Sequence, residues 1–352
     1  MKNFTNRPAG VLAAALLCSL ASLSLPTAVQ AAPPGGGIPA GTIYYTPGGG
    51  GIQTLYSMKS DGSNKTLLAA GPGSPSRLLH GGQRWFVRRL DVPGDPFYFG
   101  PVRRDLFAVR QDGAMTIRLT DDPGMEWWIV KNNNSAEWAP DENASAATLS
   151  AACRRRYQDG VVVPGSAGLY TAVLRFDAAG AVIGLDAPFA YRVSLGIVGN
   201  EIPDNANPPS WSPDMSKVVL DHNEMYGDLH ELRTIDVATG VPTTLLRDPA
   251  RTLLQPTWSP DGSKISFVSN GAGIYYIETI APGGSGRTIV VSDRKNYLYY
   301  AFWSPDSAYL IFHVSSGSWP SDILDIYRIS VLGSGKLYLT GDIPNVYALA
   351  WR

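Results

Sequence analysis

The apolar positions of this chain fall into short runs, many alternating with polar residues, and clusters of Gly, Pro, Ser and Asp separate them. Lys264-Ile265-Ser266-Phe267-Val268 and Tyr309-Leu310-Ile311-Phe312 are examples. The pattern predicts short strands joined by turns. It also repeats. Trp-Ser-Pro-Asp occurs at Trp211, Trp258 and Trp303, at intervals of 47 and 45 residues, each time followed by an apolar run. That period belongs to propellers or solenoids.

The tetrapeptide has a physical reading. Proline presets the backbone for the second position of a tight turn, Ser suits the first, and Gly262 closes the turn Ser259-Pro260-Asp261-Gly262. The preceding Trp ends a strand with a large apolar surface that packs between neighbouring sheets. A lone hairpin of this kind cannot bury its faces, whereas stacked copies can.

With the register known, weaker copies emerge. Glu137-Trp138-Ala139-Pro140-Asp141 keeps Trp, Pro and Asp, and Leu78-Leu79-His80-Gly81-Gly82 before Trp85-Phe86-Val87 keeps the shape. Tyr347 to Arg352 repeats the strand leading into the motif, 48 residues after Trp303. Near the N-terminus, Thr42 to Thr46 and Gln53 to Met58 read as the second and third strands of a repeat lacking its first. The last strand is therefore expected to complete the first blade and close the ring. Positions 78, 138, 211, 258, 303 and 351 mark six blades. Each repeat ends with a third strand, a Gly-containing turn and a fourth strand, as in Leu232 to Val237, Thr239-Gly240 and Thr244 to Leu246. The expected fold is all-β, a six-bladed β-propeller of four-stranded antiparallel blades.

These repeats resemble those of TolB-type β-propellers, whose blades carry a Trp-Ser-Pro-Asp-Gly turn and often end in Leu-Thr, as do Leu119-Thr120 and Leu339-Thr340. The resemblance covers residues 42–352 and is strongest from 205 onward. It implies a propeller without the additional α/β domain that precedes the propeller in TolB itself.

Targeting signals place the fold outside the cytoplasm. Lys2 and Arg7, an apolar core from Val11 to Leu25, and small residues at Val29 and Ala31 read as a secretory signal spanning 1–31. Residues 32–41 read as a flexible Pro/Gly leader and 42–352 as the propeller. Removing the signal leaves Cys153 without a disulfide partner and 27 basic against 30 acidic residues, a net charge of −3. Neither that balance nor its distribution suggests nucleic-acid binding. A periplasmic or secreted monomer without a membrane span is expected.

Function then falls to the loops. Connections between second and third strands, and those between blades, share one face and carry the longest segments, whereas the Trp-Ser-Pro-Asp and Gly turns are short and lie opposite. Long loops on a rigid scaffold are where binding resides. Arg103, Arg104, Arg154, Arg155 and Arg156 form a candidate cationic rim, and Phe97, Tyr98, Tyr157 and Trp319 candidate aromatic anchors. The simpler alternative is that the arginines pair with Asp91, Asp95 and Asp105 and the rings pack on the blades. Met125 to Trp128 is read as an interblade segment on the same face.

Catalysis has less support. His222, Glu224, Asp228, His230 and Glu231 are the densest set of candidate metal ligands or acid/base groups. Aligned repeats place His313 opposite Asp221 and His222 opposite Val314, so the two histidines point to different blade faces, and His80 falls in a turn on the far side. No metal or cofactor is expected. Some TolB-like lyases of pectic oligosaccharides use a His-ligated metal, so a propeller-type polysaccharide lyase or glycosidase is the alternative. Propeller-bearing peptidases need Gly-x-Ser-x-Gly, which this sequence lacks. The expectation is a non-catalytic module that binds an envelope or extracellular protein, peptide or glycan.

Overall fold

The computed structural model describes residues 41–47, 52–72, 77–79, 85–92, 103–110, 115–121, 125–129, 146–158, 161–162, 168–195, 209–223, 230–316, 324–341, 343 and 346–351. Their strands, in chain order, are β1 (Thr42–Pro47), β2 (Ile52–Lys59), β3 (Thr66–Pro72), β4 (Arg77–Leu79), β5 (Trp85–Val92), β6 (Arg103–Arg110), β7 (Thr116–Arg118) and β8 (Met125–Ile129). There follow β9 (Ala146–Gln158), β10 (Val161–Val162), β11 (Gly168–Phe176), β12 (Val182–Leu185), β13 (Ala190–Ser194), β14 (Ser210–Trp211), β15 (Lys217–Asn223), β16 (His230–Asp236) and β17 (Pro242–Arg247). The last are β18 (Thr252–Trp258), β19 (Ile265–Gly271), β20 (Ile274–Ile280), β21 (Thr288–Asp293), β22 (Tyr297–Trp303), β23 (Tyr309–Ser315), β24 (Leu324–Ser330), β25 (Leu337–Tyr338) and β26 (Val346–Trp351). Among the described residues no helix is long and apolar enough to cross a membrane.

The architecture is a β-propeller of antiparallel sheets. Five are four-stranded: β26-β1-β2-β3, β4-β5-β6-β7, β14-β15-β16-β17, β18-β19-β20-β21 and β22-β23-β24-β25. The C-terminal β26 pairs with β1, Ile43 opposite Trp351 and Tyr44 opposite Ala350, so the first sheet joins both ends of the described fold. The remaining sheet departs from the uniform four-stranded expectation. It is six-stranded, because β9 runs on for 13 residues and turns back through β10, while β12 and β13 share one flank of β11. Its first strand is β8, so Met125 to Trp128, expected as an interblade segment, is a strand paired with β9. Glu137 to Asp141, expected as a weaker upstream copy of the motif, lies outside the described residues.

Side chains alternate between the two faces of each strand, so every blade has two faces to bury. Apolar clusters do this sheet by sheet. Val219, Leu232 and Leu245 meet Leu253, Trp258, Ile265 and Phe267 of the next sheet. Val268 and Ile277 there meet Leu298, Trp303, Leu310 and Phe312. Phe302, Ile311, Ile326 and Leu339 then meet Ile43, Tyr45, Val346 and Trp351. Trp258, Trp303 and Trp351 are thus interblade wedges, and Trp303 also donates its indole N–H across the interface to the Thr257 carbonyl at 3.0 Å.

The repeated turn is held by its own side chains. Ser259 Oγ donates to Asp261 and accepts the Lys264 N–H, while Asp261 accepts the N–H and hydroxyl of Ser263. The same bonds recur around Ser212 and Asp214, and around Ser304 and Asp306 all but the hydroxyl bond recur, since Ala308 stands in place of the second serine. Successive turns also touch, since the Asp261 N–H donates to Ser307 Oγ at 3.1 Å. At the turn between third and fourth strands, Gly284 has φ +84°, and a Cβ there would lie 2.7 Å from the Leu245 carbonyl oxygen of the preceding sheet. Gly333 stands in the same relation to Val290, at 2.9 Å. Both positions need glycine twice over, for the left-handed backbone and for the close approach.

Candidate functional site

Antiparallel order assigns the connections to two ends of the blades. The Trp-Ser-Pro-Asp turns and the glycine turns lie at one end. The β19–β20 hairpin and the β17–β18 and β21–β22 connections lie at the other, the expected loop end.

At that loop end the fifth and sixth sheets of the chain (β18 to β21 and β22 to β25) carry a continuous row of aromatic rings. Tyr275, just after the tight β19–β20 hairpin, stands edge-on to Tyr297, with centroids 4.8 Å apart and planes at 60°. Tyr297 lies parallel to Tyr299, at 6.1 Å and 11°. Tyr299 leads to Tyr300 at 6.3 Å, and Tyr300 to His313 at 5.8 Å. The row begins at the surface and ends in the core: Tyr297 is 38 % exposed, Tyr275, Tyr299 and Tyr300 are half-buried, and His313 is 2 % exposed. Burial and the neighbouring Tyr297 push the Tyr275 phenol above its ordinary pKa, so that hydroxyl stays neutral at physiological pH.

A backbone irregularity shapes the row. The pairing of β18 with β19 shifts between Leu254 and Thr257, and that of β22 with β23 between Tyr299 and Phe302. At the matching positions Gln255 and Tyr300 adopt φ +55° and +45°, and the Gln255 side-chain oxygen accepts the Tyr300 N–H at 2.6 Å. A bulge re-aims the residues around it. Here it lets Leu298, Ala301 and Trp303 join one interblade cluster while Tyr300 and Phe302 turn to the other.

Arg294 and Lys295, both exposed, occupy the short connection immediately before Tyr297. Asp293, the last residue of β21, is engaged locally, accepting the backbone N–H groups of Lys295 and Asn296 and the Asn296 side-chain amide.

A second polar cluster lies at the sheet interface. Glu278, 1 % exposed, accepts hydrogen bonds from Arg287, Arg251 and Ser269, and Arg287 continues to Asp248 on the preceding sheet's exit. Burial pushes the Glu278 carboxyl up, but the bonds from Arg287 and Ser269 and the two guanidinium charges outweigh it and hold its pKa below the ordinary value. Glu231 is held likewise by Arg233 and Arg247. These acids are satisfied by cations, which makes them braces rather than proton donors.

The expected site residues fall as follows. Arg103 and Arg104 are not in a loop: they open β6, opposite Val92 and Asp91. Arg154, Arg155, Arg156 and Tyr157 continue β9, with Arg156 opposite Met125, Arg155 opposite Glu126 and Tyr157 opposite Val162. Strand pairing had room to extend there because β8 and β10 supply partners. Both groups sit at the loop end of adjacent sheets, and β8 packs against β5 and β6. Their side chains, like that of Cys153, lie outside the described residues, as do Phe97, Tyr98, Trp319, His80, Glu224 and Asp228. Asp105 pairs with Arg118. No three His, Cys, Asp or Glu side chains converge among the described residues. The tyrosine row escaped the sequence reading because Tyr297 to Tyr300 sit in a strand leading into Trp303, where apolar residues read as core.

No family model matches the sequence. Among solved structures the chain resembles TolB from Acinetobacter baumannii, with a TM-score of 0.54 and 14% identity, over 90% of this chain and 67% of that one. It resembles the putative TolB from Agrobacterium tumefaciens with a TM-score of 0.53 and 12% identity, over 90% of this chain and 99% of the other. An oligogalacturonate lyase in complex with manganese follows at a TM-score of 0.44 and 13% identity, over 81% and 69%. At such identities the likeness is one of fold: the chain has the TolB-type β-propeller fold.

Proposed function

We propose that the chain is an extracytoplasmic six-bladed propeller that binds a protein, peptide or glycan on its loop face and performs no chemistry there. In this reading residues 1–31 are a cleaved signal and 32–41 a leader. The six-stranded sheet is the remaining blade, its fourth strand divided between β12 and β13, and β26 closes the ring, a reading supported by its pairing with β1 and its contacts with β24 and β4. The rim of Arg103, Arg104 and Arg154 to Arg156 belongs to the same face.

The observation that carries the proposal is the tyrosine row. Tyr275 and Tyr297 stand at the loop end of a rigidly braced blade pair, with exposed cations beside them. Aromatic residues with nearby cations dominate binding energetics, because large rings bury area at low entropic cost. The acids braced by arginine leave binding, rather than proton transfer, as what these described groups can do.

Capture from an envelope extract of the native host tests it. The Tyr275→Ser, Tyr297→Ser double variant should lose the captured partner while keeping its far-ultraviolet circular dichroism and melting temperature. Replacing Arg154, Arg155 and Arg156 together with Glu should weaken capture and its salt dependence. Full capture by both folded variants would sink the loop-face assignment.

A further inference from the structure

We infer that the faces of Phe312 and Tyr327 in the sixth sheet form an alkylammonium-binding site, which the chain's own Lys336 fills as a displaceable internal ligand. Lys336 follows the glycine turn between β24 and β25, at the end of the blade opposite the long loops. The inference is therefore independent of the loop-face proposal.

Comparison of the repeats is the first argument. Arg287 and Lys336 hold the same place in successive sheets, since each directly precedes the fourth-strand residue, Thr288 or Leu337, that pairs with Thr279 or Arg328. Both cations are set over the same ring of the second strand, Arg287 5.8 Å from the Phe267 centroid and Lys336 5.7 Å from that of Phe312. The third strand is what differs. Where the fifth sheet has Glu278, the sixth has Tyr327, each two residues before the isoleucine that faces Ile265 or Leu310 in one case and the other. Arg287 is pinned by Glu278 and Asp248. Lys336 has a second ring instead, its ammonium 4.6 Å from the Tyr327 centroid, and makes no ion pair among the described residues. Asp293, the counterpart of Asp248, serves Lys295 and Asn296.

The surroundings set the ligand class. Tyr327 lies between Phe312, at 6.0 Å and 24°, and Tyr338, at 4.9 Å and 20°. Tyr338 is held there by its hydroxyl, which donates to Asp325. Burial, and after it the charges of Asp325 and Asp293, push the Tyr327 phenol above its ordinary pKa, so the potential around the ring is negative. An anion would be repelled. Aromatic faces in a negative field, with no carboxylate in contact, suit a cation on an apolar stem, which is how quaternary ammonium and lysine groups are recognised elsewhere.

The present occupant is loosely held. Burial pushes the Lys336 amine below its ordinary pKa, against the pull of Asp293, and desolvation that no ion pair offsets favours release to water. Phe312 is fully buried, but Lys336 is exposed as a residue, so rotation of its side chain alone would uncover the rings. Tethering still gives Lys336 a high effective concentration at the rings, so a free cation competes poorly until the lysine is removed or turned away.

The test titrates the mature chain with butylammonium, with choline and with 3,3-dimethylbutanol, the uncharged isostere of choline, by ligand-observed NMR. Lys336→Ala is expected to bind at least one of the cations saturably, about tenfold tighter than the alcohol and about tenfold tighter than wild type does. Lys336→Arg should keep the rings covered and bind as weakly as wild type. Adding Tyr327→Leu to Lys336→Ala should weaken cation binding about tenfold, as loss of the nearer ring does; circular dichroism and the melting temperature establish that each variant is folded. Tighter butylammonium points to a lysine side chain of a partner protein and tighter choline to a quaternary headgroup, and either supports the site. Folded Lys336→Ala that binds the cations no better than the alcohol overturns the inference. Equal cation binding by wild type and Lys336→Ala does so too, as does binding that survives the loss of Tyr327.

Discussion

Replacing Glu278 with Gln removes one charge from the interblade brace and leaves shape almost unchanged. Glu278 is 1 % exposed, and its partners Arg251 and Arg287 are each 27 % exposed. Breaking a buried ion pair from one side costs about 3–5 kcal/mol when the orphaned charge stays buried. Two features lower that here. Gln keeps an acceptor oxygen for Ser269 or one guanidinium N–H, and Arg287 retains Asp248 at 2.8 Å. A loss of about 2–3 kcal/mol is expected for Glu278→Gln and about 4 for Glu278→Ala, which for a chain of this size lowers the melting temperature by roughly 2–4 °C per kcal/mol.

The pH dependence supplies the sharper check. The Glu278 pKa is depressed in the folded state. Its contribution is therefore fully present above the unfolded value, near 4.5, and is lost as pH falls through the folded value. Urea denaturation at neutral pH and along an acid series should show wild type losing stability below the unfolded value faster than Glu278→Gln, so that the two curves converge. A substitution effect below about 0.5 kcal/mol at neutral pH, the range of ordinary surface changes, would refute the account of Glu278 as a charged brace. So would a gap between the curves that stays constant into acid.

Three further predictions use paired positions. Gly284→Ala meets the Leu245 carbonyl as well as a left-handed φ, whereas Gly286→Ala, at φ +65°, meets nothing within 4 Å. Urea midpoints should place Gly286→Ala near the 1–2 kcal/mol of backbone strain alone and Gly284→Ala clearly beyond it. Trp303→Phe loses the bond to the Thr257 carbonyl, whereas Trp258→Phe loses none, its indole nitrogen having no partner; calorimetry should find Trp303→Phe worse by about 1 kcal/mol. Gln255→Ala leaves the Tyr300 N–H without its acceptor, at a cost of about 1–3 kcal/mol, and should speed hydrogen exchange at that amide; unchanged exchange would mean that the bulge does not depend on Gln255.

What could be read from the chain followed from its period. The turn residues Ser259, Pro260, Asp261 and Gly262 encode a local geometry, and each Trp encodes the interface beyond it, so the strands after Trp211, Trp258 and Trp303 and the pairing of β26 with β1 were legible. The six-stranded sheet was not, because strand extension depends on available partners: Arg154 to Tyr157 look like a polar loop until β8 and β10 lie alongside. The tyrosine row was hidden for a related reason. Alternation predicts which side chains share a face, but a bulge at Tyr300 changes parity within the strand and nothing local in the sequence marks it.

The same register argument explains how a repeat built for packing can carry a site. Position by position, Asp221, Val268 and His313 are equivalent across three successive blades, as the pairing of Val218, Ile265 and Leu310 with their motif tryptophans shows. Val268 is core, whereas His313 ends an aromatic row that reaches the surface. The scaffold tolerates this because each interface has its own apolar cluster and its own turn contacts, so a change in one blade is felt mainly by its neighbours. Gln255 and Tyr300 make the point most directly. Both occupy the same bulge, yet one is spent holding the other in place, which frees the tyrosine-bearing strand to present Tyr297 and Tyr299 at the loop end instead of burying them between sheets.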